Sequence, residues 1–486
     1  MKNPRTCSLV ALLILLGSIL ANARVDLKYF LEYKLNRIHV TLKYIPLFRD
    51  STIFTYGEPQ FGGQNDIIQC ISNVRTAVHS SLTIDPATRS FTLYYSTLKP
   101  IVIEYDILDT TTARKDVRKE LFRPIIQKDY FYCHGVNLFL NPQIKEKGKK
   151  ITVSIQWIQK PSFPFFYGFD PENKGKKKAI STVDSTLFSL MTGASDLSVD
   201  KFSLNGTQNY IVLRGESNKL YNRPSIRDYF VRFNTSIRKF WNDYTDPCFS
   251  LILQPFLQAD HSISGVAFAN GFIGKYKADT ILNTQRIFVI SHEIGHHWLG
   301  HRLEMNISHQ WFGEGFNDYI TFYTLVSGGL ITLEDFEDKM NEVFKSHYTS
   351  DIRNTPNDSV FKNYWKMGDY NRLPYRRGAI FAFYLDNQIR LASNGEKSIR
   401  GLLRAIALFR KEKPSDYEIT LDDFIGQAAN FLPRAQVISD LDEYILKGNP
   451  IMFSTKMFTS DYQLIDEHGI PQIKIVNEKK FMKMFN

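Results

Sequence analysis

Along the first two-fifths of the chain apolar and polar residues alternate, and along the rest apolar residues recur at helical spacing. Ser90-Phe-Thr-Leu-Tyr-Tyr95, Ile101-Val-Ile-Glu-Tyr105, Ile151-Thr-Val-Ser-Ile-Gln-Trp157 and Tyr210-Ile-Val-Leu213 read as strands with turn residues between them. Several such runs without a helical stretch predict an antiparallel β-sandwich or barrel over 24–217. After Glu216-Ser-Asn-Lys the period becomes helical. Arg227–Trp241 is amphipathic, with Tyr229, Phe230, Phe233, Ile237 and Phe240 on recurrent faces. Thr284–Gly300 is apolar nearly all round, which predicts a buried helix. Trp311–Val326 forms another, stopped at Gly328-Gly329, and Thr332-Leu-Glu-Asp opens a further one with a capping pattern. Leu373–Ile389 and Ser398–Phe409 continue the series. A mainly helical domain over 218–450 follows, with 451–486 as a weakly alternating C-terminal tail, read as strand-like or as a packed tail.

The N-terminus changes the picture of where the chain goes. Lys2 and Arg5 precede the apolar stretch Leu9–Leu20, and Ala21-Asn22-Ala23 is a small-x-small cleavage site. This reads as a signal peptide over 1–23, too short in its apolar run to span a bilayer. The expectation is a chain that is secreted, periplasmic or lumenal, with no transmembrane segment after cleavage. Three cysteines remain, Cys70, Cys133 and Cys248, and an odd count leaves at least one unpaired. Cys70 with Cys133 is the first pairing to test. None has the Cys-x-x-Cys spacing of a zinc site. Of four Asn-x-Ser/Thr acceptor sites (Asn205, Asn234, Asn306, Asn357), Asn306 lies in a loop that should be exposed if the site is glycosylated.

Composition adds bounds. The 486 residues include 37 Phe, 25 Tyr and 5 Trp, and 43% are apolar, which is enough for a sizeable core and excludes a largely disordered chain. The net charge of +10 allows anionic partners. Much of it sits in two basic turns, Lys145–Lys150 and Lys174–Lys178, which read as solvated hairpin loops. They lack aromatic interleaving, so no nucleic-acid partner is expected.

The chemistry lies on two helices. In His292-Glu293-Ile294-Gly295-His296 the imidazoles at i and i+4 share one face and suit two ligands of a tetrahedral zinc. Glu293, one step round, is placed as general base toward a metal-activated water. A carboxylate beside Ile287-Phe-Val-Ile290 and Trp298 is costly to bury without a function or partner. A pattern with Gly three and a ligand His six residues after His296 fails, because Leu299 and Arg302 stand there and Gly300 and His301 are out of phase. Trp311-Phe-Gly-Glu314-Gly-Phe supplies a carboxylate on the next helix instead, and Asp318, four residues further, faces the same way. It can accept the remaining N–H of a ligand histidine. His297, His301 and His309 read as surface or packing residues.

HEIGHHW followed by WFGEGFNDY resembles the gluzincin metallopeptidases, as in the M1 aminopeptidases and, more closely, the M61 glycyl aminopeptidase family. Gly328-Gly329-Leu-Ile-Thr-Leu-Glu-Asp-Phe and Leu373-Pro-Tyr-Arg-Arg-Gly-Ala, followed by Leu385-Asp386, strengthen the M61 likeness, which covers roughly 220–450. The resemblance implies a multidomain α+β fold: an N-terminal antiparallel β-sandwich domain, then a thermolysin-like, mainly helical gluzincin catalytic domain. It implies one Zn2+ held by His292, His296 and Glu314, with Glu293 as catalytic base. Tyr375 would be the hydroxyl that stabilises the oxyanion, and a peptide or protein would be the substrate. Two departures stand out. Seventeen residues separate His296 from Glu314, one fewer than in M1 enzymes. Gly265-Val-Ala-Phe-Ala-Asn270-Gly lacks the glutamate with which the M1 strand grips a free amine, so strict aminopeptidase action is not implied. Gly265 and Asn270 are the corresponding substrate-binding candidates, and Arg377 beside Tyr375 is another. M61 members often end in a PDZ domain, and the stretch after 450 is too short to be one. Two other classes stay open on these residues: a catalytically silent secreted binding protein on the same scaffold, and a zinc hydrolase of a non-peptide substrate.

Overall fold

The computed structural model describes residues 25–483 apart from 47–49, 58–63, 65, 78–79, 97, 112–114, 144–150, 173–176, 182–188, 216–222, 247, 278–281, 365–367 and 415–416. The expected signal peptide, the first lysine turn and the expected boundary at 217 therefore lie outside the described residues. The chain forms two compact units, Met1–Ser198 with Phe256–Asp260, and Val199–Pro255 with His261–Asn486.

The first unit is built of β-sheets. Six strands run in the order Lys177–Ser181, Ile151–Gln159, Val25–Lys34, Arg37–Ile45, Ile101–Leu108 and Ile71–Thr76. Two four-stranded sheets, one centred on Asp50–Thr55 and Ser90–Tyr95, the other on Tyr130–His134 and Leu190–Ala194, complete it. Among the described residues of this unit the strands pair antiparallel except once: Val25–Lys34 runs parallel to Ile151–Gln159. Period-two patterning decides the faces, as in Arg37–Ile45, where Ile38, Val40, Leu42 and Tyr44 point inward. They join Leu27, Phe54, Phe91, Phe131 and Met191 from all three sheets in one core. Lys177 and Lys178, expected in a loop, are the first residues of a strand paired with Ile155 and Ser154. The pairing of Cys70 with Cys133 does not form. Both thiols are free and buried, and Cys70 Sγ lies 3.2 Å from Thr110 Oγ1 and accepts from Arg123 Nη2.

The second unit opens with a five-stranded sheet: β1 (Ser198–Leu204), β2 (Thr207–Leu213), β3 (Cys248–Pro255), β4 (Ile263–Phe268) and β5 (Gly271–Tyr276), in the order β1-β2-β3-β5-β4. β2 pairs in parallel with β3 at Tyr210–Leu213 against Ser250–Leu253, a long-range partnership that local periodicity cannot reveal. β3 also runs parallel to β5, and β4 closes the edge antiparallel. Helix α1 (Arg223–Trp241) makes the crossover between β2 and β3. Then come α2 (Thr284–Gly295), a π-helical turn Trp311–Phe316 continuing into α3 (Asn317–Ser327), α4 (Leu333–Tyr348), α5 (Asn357–Asn363), α6 (Gly368–Ala392) and α7 (Ile399–Lys411). The predicted capping pattern is a full capping box, Thr332 and Asp335 each bonding the other's backbone N–H. The 451–486 segment holds strands and packs on the helices. Tyr462–Glu467 and Ile470–Ile475 form a hairpin, and both backbone groups of Ile473 bond the Asn341 carboxamide of α4. Among the described residues no helix is long and apolar enough to cross a membrane.

Candidate active site

Helix α2 starts where the Asn283 side chain accepts the Arg286 N–H at 3.1 Å. Apart from half-buried Glu293 it is buried from Ile290 onward, while Thr284 and Gln285 are exposed and Arg286 to Val289 half-buried, so its first half is not the core helix that the apolar run predicts. It also ends five residues early, with His296 as its C-cap. The chain folds back there because Trp298 and Leu299 drop into the core and Gly300 adopts φ +120°, a conformation L side chains rarely adopt. This early end has a chemical consequence. It turns the Leu299 carbonyl toward the second histidine, and His296 Nδ1–H donates to it at 2.9 Å. The opposite nitrogen, Nε2, is thereby left as an acceptor facing Glu314 Oε2 at 3.3 Å.

His292 is held likewise. Asp318 Oδ1 lies 2.7 Å from its Nδ1, and Glu314 Oε2 lies 3.2 Å from its Nε2. Glu314 and Asp318 thus take the two nitrogens of one ring. One donor atom from each of His292, His296 and Glu314 lies within 4.8 Å of the other two. Two neutral-capable imidazoles and one carboxylate are the donor set of a catalytic zinc, and both imidazoles have their far side tied down. Burial alone would raise the Glu314 carboxyl, but His296 and His292 hold it well below the usual range, so it stays ionised.

Glu293 is half-buried beside this cluster. Desolvation raises its carboxyl above the ordinary range against the pull of His296 and His292. The Tyr375 ring stacks over His292, centroids 5.8 Å apart and planes 25° apart. Burial, with the Glu314 carboxylate and the Tyr364 hydroxyl next, pushes Tyr375 well above a normal phenol, so it keeps its proton and can donate. A cavity of about 230 Å³ opens beside His296 and Glu314, lined also by Gly300, Asn306, His309 and Gly313. His309, read from sequence as a surface or packing residue, is one of the residues that line it.

The remaining candidates make the following contacts. Arg377 is two residues, about 200° of helix, beyond Tyr375. Its buried guanidinium donates to the carbonyls of Arg353 at 2.9 Å and Thr355 at 2.6 Å, and so clamps that stretch of backbone. A Cβ on Gly265 would stand 2.1 Å from the Phe272 ring, which fills that space. Asn270 forms the tight β4–β5 turn, and its carbonyl accepts the Ser250 N–H.

Sequence reasoning missed several supporting residues. The Asn317 carboxamide donates to the His292 carbonyl at 2.7 Å and lies where a Cβ on Gly295 would be, 2.1 Å from its Oδ1. Tyr364, at the end of α5, hydrogen-bonds Tyr375, and burial pushes its hydroxyl up to about 12. Glycines inside helical runs were a readable signal, since they mark close approach. Asn317 and Tyr364 carried none.

No family model and no curated protein matches the chain. Solved structures do. The chain is similar to an aminopeptidase N family protein from Idiomarina loihiensis, with a TM-score of 0.69 and 13% identity over 89% of this chain and 77% of that one. It is also similar to an M1 zinc metallopeptidase from Deinococcus radiodurans, with a TM-score of 0.56 and 12% identity over 88% of this chain and 94% of that one. The chain shares their fold. A β-rich N-terminal part followed by a mainly helical part is the architecture of both this chain and the aminopeptidase N-like structure.

Proposed function

We propose that the chain is an exported zinc-dependent metallopeptidase that hydrolyses peptide bonds, in the manner of an aminopeptidase. The observation that carries this reading is the convergence of His292 Nε2, His296 Nε2 and Glu314 on one point, with Asp318 and the Leu299 carbonyl fixing the two rings from behind. The fold shared with two structures described as an aminopeptidase N family protein and a zinc metallopeptidase supports it. The finer placement near the M61 glycyl aminopeptidases rests on the motifs around Glu314 and Tyr375, and export rests on the first 23 residues.

His292, His296 and Glu314 would hold the zinc, which supplies Lewis acidity toward a peptide carbonyl and a water. The chain's own residues do the rest. Glu293 takes the proton of the attacking water on its carboxylate and returns it to the leaving amine. Tyr375 donates its O–H to the oxyanion that develops on the scissile carbonyl. A second reading, cleavage of internal bonds, is favoured by β4, where Gly265 to Phe268 carry no carboxylate to grip a free amino terminus.

The test is zinc content in protein purified without chelators, with turnover of aminoacyl amides and of internally quenched peptides, for wild type and Glu293→Gln. Stoichiometric zinc in both proteins, with turnover lost only in the variant, is expected. Zinc-free protein, or a variant as active as wild type, refutes the proposal. Turnover of blocked internal peptides alone selects the second reading.

A further inference from the structure

Arg377 is a buried cation, 5% exposed, and among the described residues no carboxylate pairs with it. Its guanidinium meets carbonyls alone: Arg353 at 2.9 Å, Thr355 at 2.6 Å and Ile445 at 3.5 Å. A buried charge without a counter-ion is costly, and a packed apolar side chain often stabilises such a place better. Stability therefore does not account for this arginine. What it fixes is the entry to α5. Gly448, at φ +82°, leaves the room: a Cβ there would stand 2.4 Å from the Thr355 carbonyl oxygen and 2.7 Å from Arg377 Nη2. Two residues after Thr355, Asn357 Nδ2 donates to the Ser308 carbonyl at 2.8 Å, so the first turn of α5 is anchored from two sides. α5 has seven residues, a stiff rod about 10 Å long, and Tyr364 caps its far end. There the Tyr364 hydroxyl is hydrogen-bonded to that of Tyr375, whose ring stacks over His292.

We propose that Tyr364 is a positioning residue for Tyr375, held in place through α5 by the Arg377 clamp. A phenol has one proton to give and lone pairs with which to accept. With the Tyr375 proton aimed at the developing oxyanion, the proton between the two hydroxyls comes from Tyr364, and Tyr375 Oη accepts it. That bond fixes the Tyr375 hydroxyl rotor and polarises its O–H, because hydrogen bonds in a chain reinforce one another. This role rests on the peptidase reading, since it acts on the oxyanion donor of that reaction.

Steady-state kinetics on the aminoacyl amide or quenched peptide that the wild type turns over decides it, with zinc content and circular dichroism checked for every variant. Tyr364→Phe removes one hydroxyl and is expected to lower kcat about tenfold, the size of one net hydrogen bond, with KM and bound zinc unchanged. In a Tyr375→Phe background the same change should cost nothing further, because the hydroxyl it positions is gone. Arg377→Lys keeps the charge and loses the planar fork, so it should lower kcat in the wild type and far less beside Tyr364→Phe. A contact that only stabilised the fold would act equally in every background. Full kcat in Tyr364→Phe, or the same fold-loss with and without the Tyr375 hydroxyl, would overturn the proposal, as would an Arg377→Lys loss undiminished beside Tyr364→Phe. Should Arg377→Lys fail to fold, the Tyr364–Tyr375 cycle decides alone. A zinc-loaded wild type that turns over neither substrate refutes the peptidase reading itself. An active wild type beside an equally active Tyr364→Phe refutes this role alone.

Discussion

Gly315 and Gly378 meet backbone to backbone: a Cβ on Gly315 would lie 2.4 Å from Gly378 Cα, and one on Gly378 would lie 2.1 Å from the Trp311 carbonyl oxygen. The first glycine follows Glu314 and the second lies three residues after Tyr375, so this contact sets how closely the tyrosine approaches the metal-ligand set. Gly378→Ala is expected to destabilise the fold by about 1–3 kcal/mol, the usual range for overpacking. It should also lower kcat more than it raises KM, because the displaced Tyr375 acts only where charge develops. Urea unfolding together with steady-state kinetics checks both effects.

Asp318 sits 2.7 Å from His292 Nδ1 and touches none of the other proposed ligands at such a distance. Asp318→Asn keeps the size but removes the charge that fixes the ring. Zinc affinity is expected to fall about 10–100-fold while the folded structure persists. Competition with a chromogenic chelator measures it. Unchanged affinity would mean that the Asp318 contact does not orient the ligand.

His347 supplies a pH prediction away from the site. Burial first, then the Arg377, Arg376 and Arg353 guanidinium groups, lowers its imidazole from 6.5 to about 3. The unfolded chain binds a proton near 6.5 and the folded one does not, so unfolding gains protons. Stability is therefore full above 6.5 and falls as pH drops from 6.5 toward 3, by a few kcal/mol in all. His347→Phe should flatten that part of the profile. Thermal unfolding at pH 7, 5 and 4 for both proteins, conditions chosen to bracket the window, decides it.

The four Asn-x-Ser/Thr sites divide by burial. Asn205 and Asn306 are exposed, whereas Asn234 is fully buried, bonded to Asn209 and Arg238, and Asn357 is buried and donates to the Ser308 carbonyl at 2.8 Å. Folded protein made in a glycosylating secretory host should carry glycans at Asn205 and Asn306 only. Peptide mapping after glycosidase treatment reads the sites directly, and a glycan on Asn234 in folded protein would contradict this packing.

The sequence by itself determined the elements and the chemical positions. Strand faces followed from alternation, as in Ser90–Tyr95, and the helices from their apolar stripes, as in α1. The spacing of His292, His296, Glu314 and Asp318 placed four groups on two helices, because side-chain direction along a helix is a local property. Only the tertiary structure decided what lay between elements. The parallel pairing of β2 with β3 was one such outcome, since strand partnership depends on residues far apart in the chain. The early end of α2, which gives His296 the Leu299 carbonyl, came from the pull of the core on Trp298 and Leu299 against a continuous apolar pattern. Arg377 became a backbone clamp because the carbonyls that meet it, at Arg353 and Thr355, lie more than twenty residues earlier. Periodicity reports which face a residue takes, while contact distance depends on which face it meets.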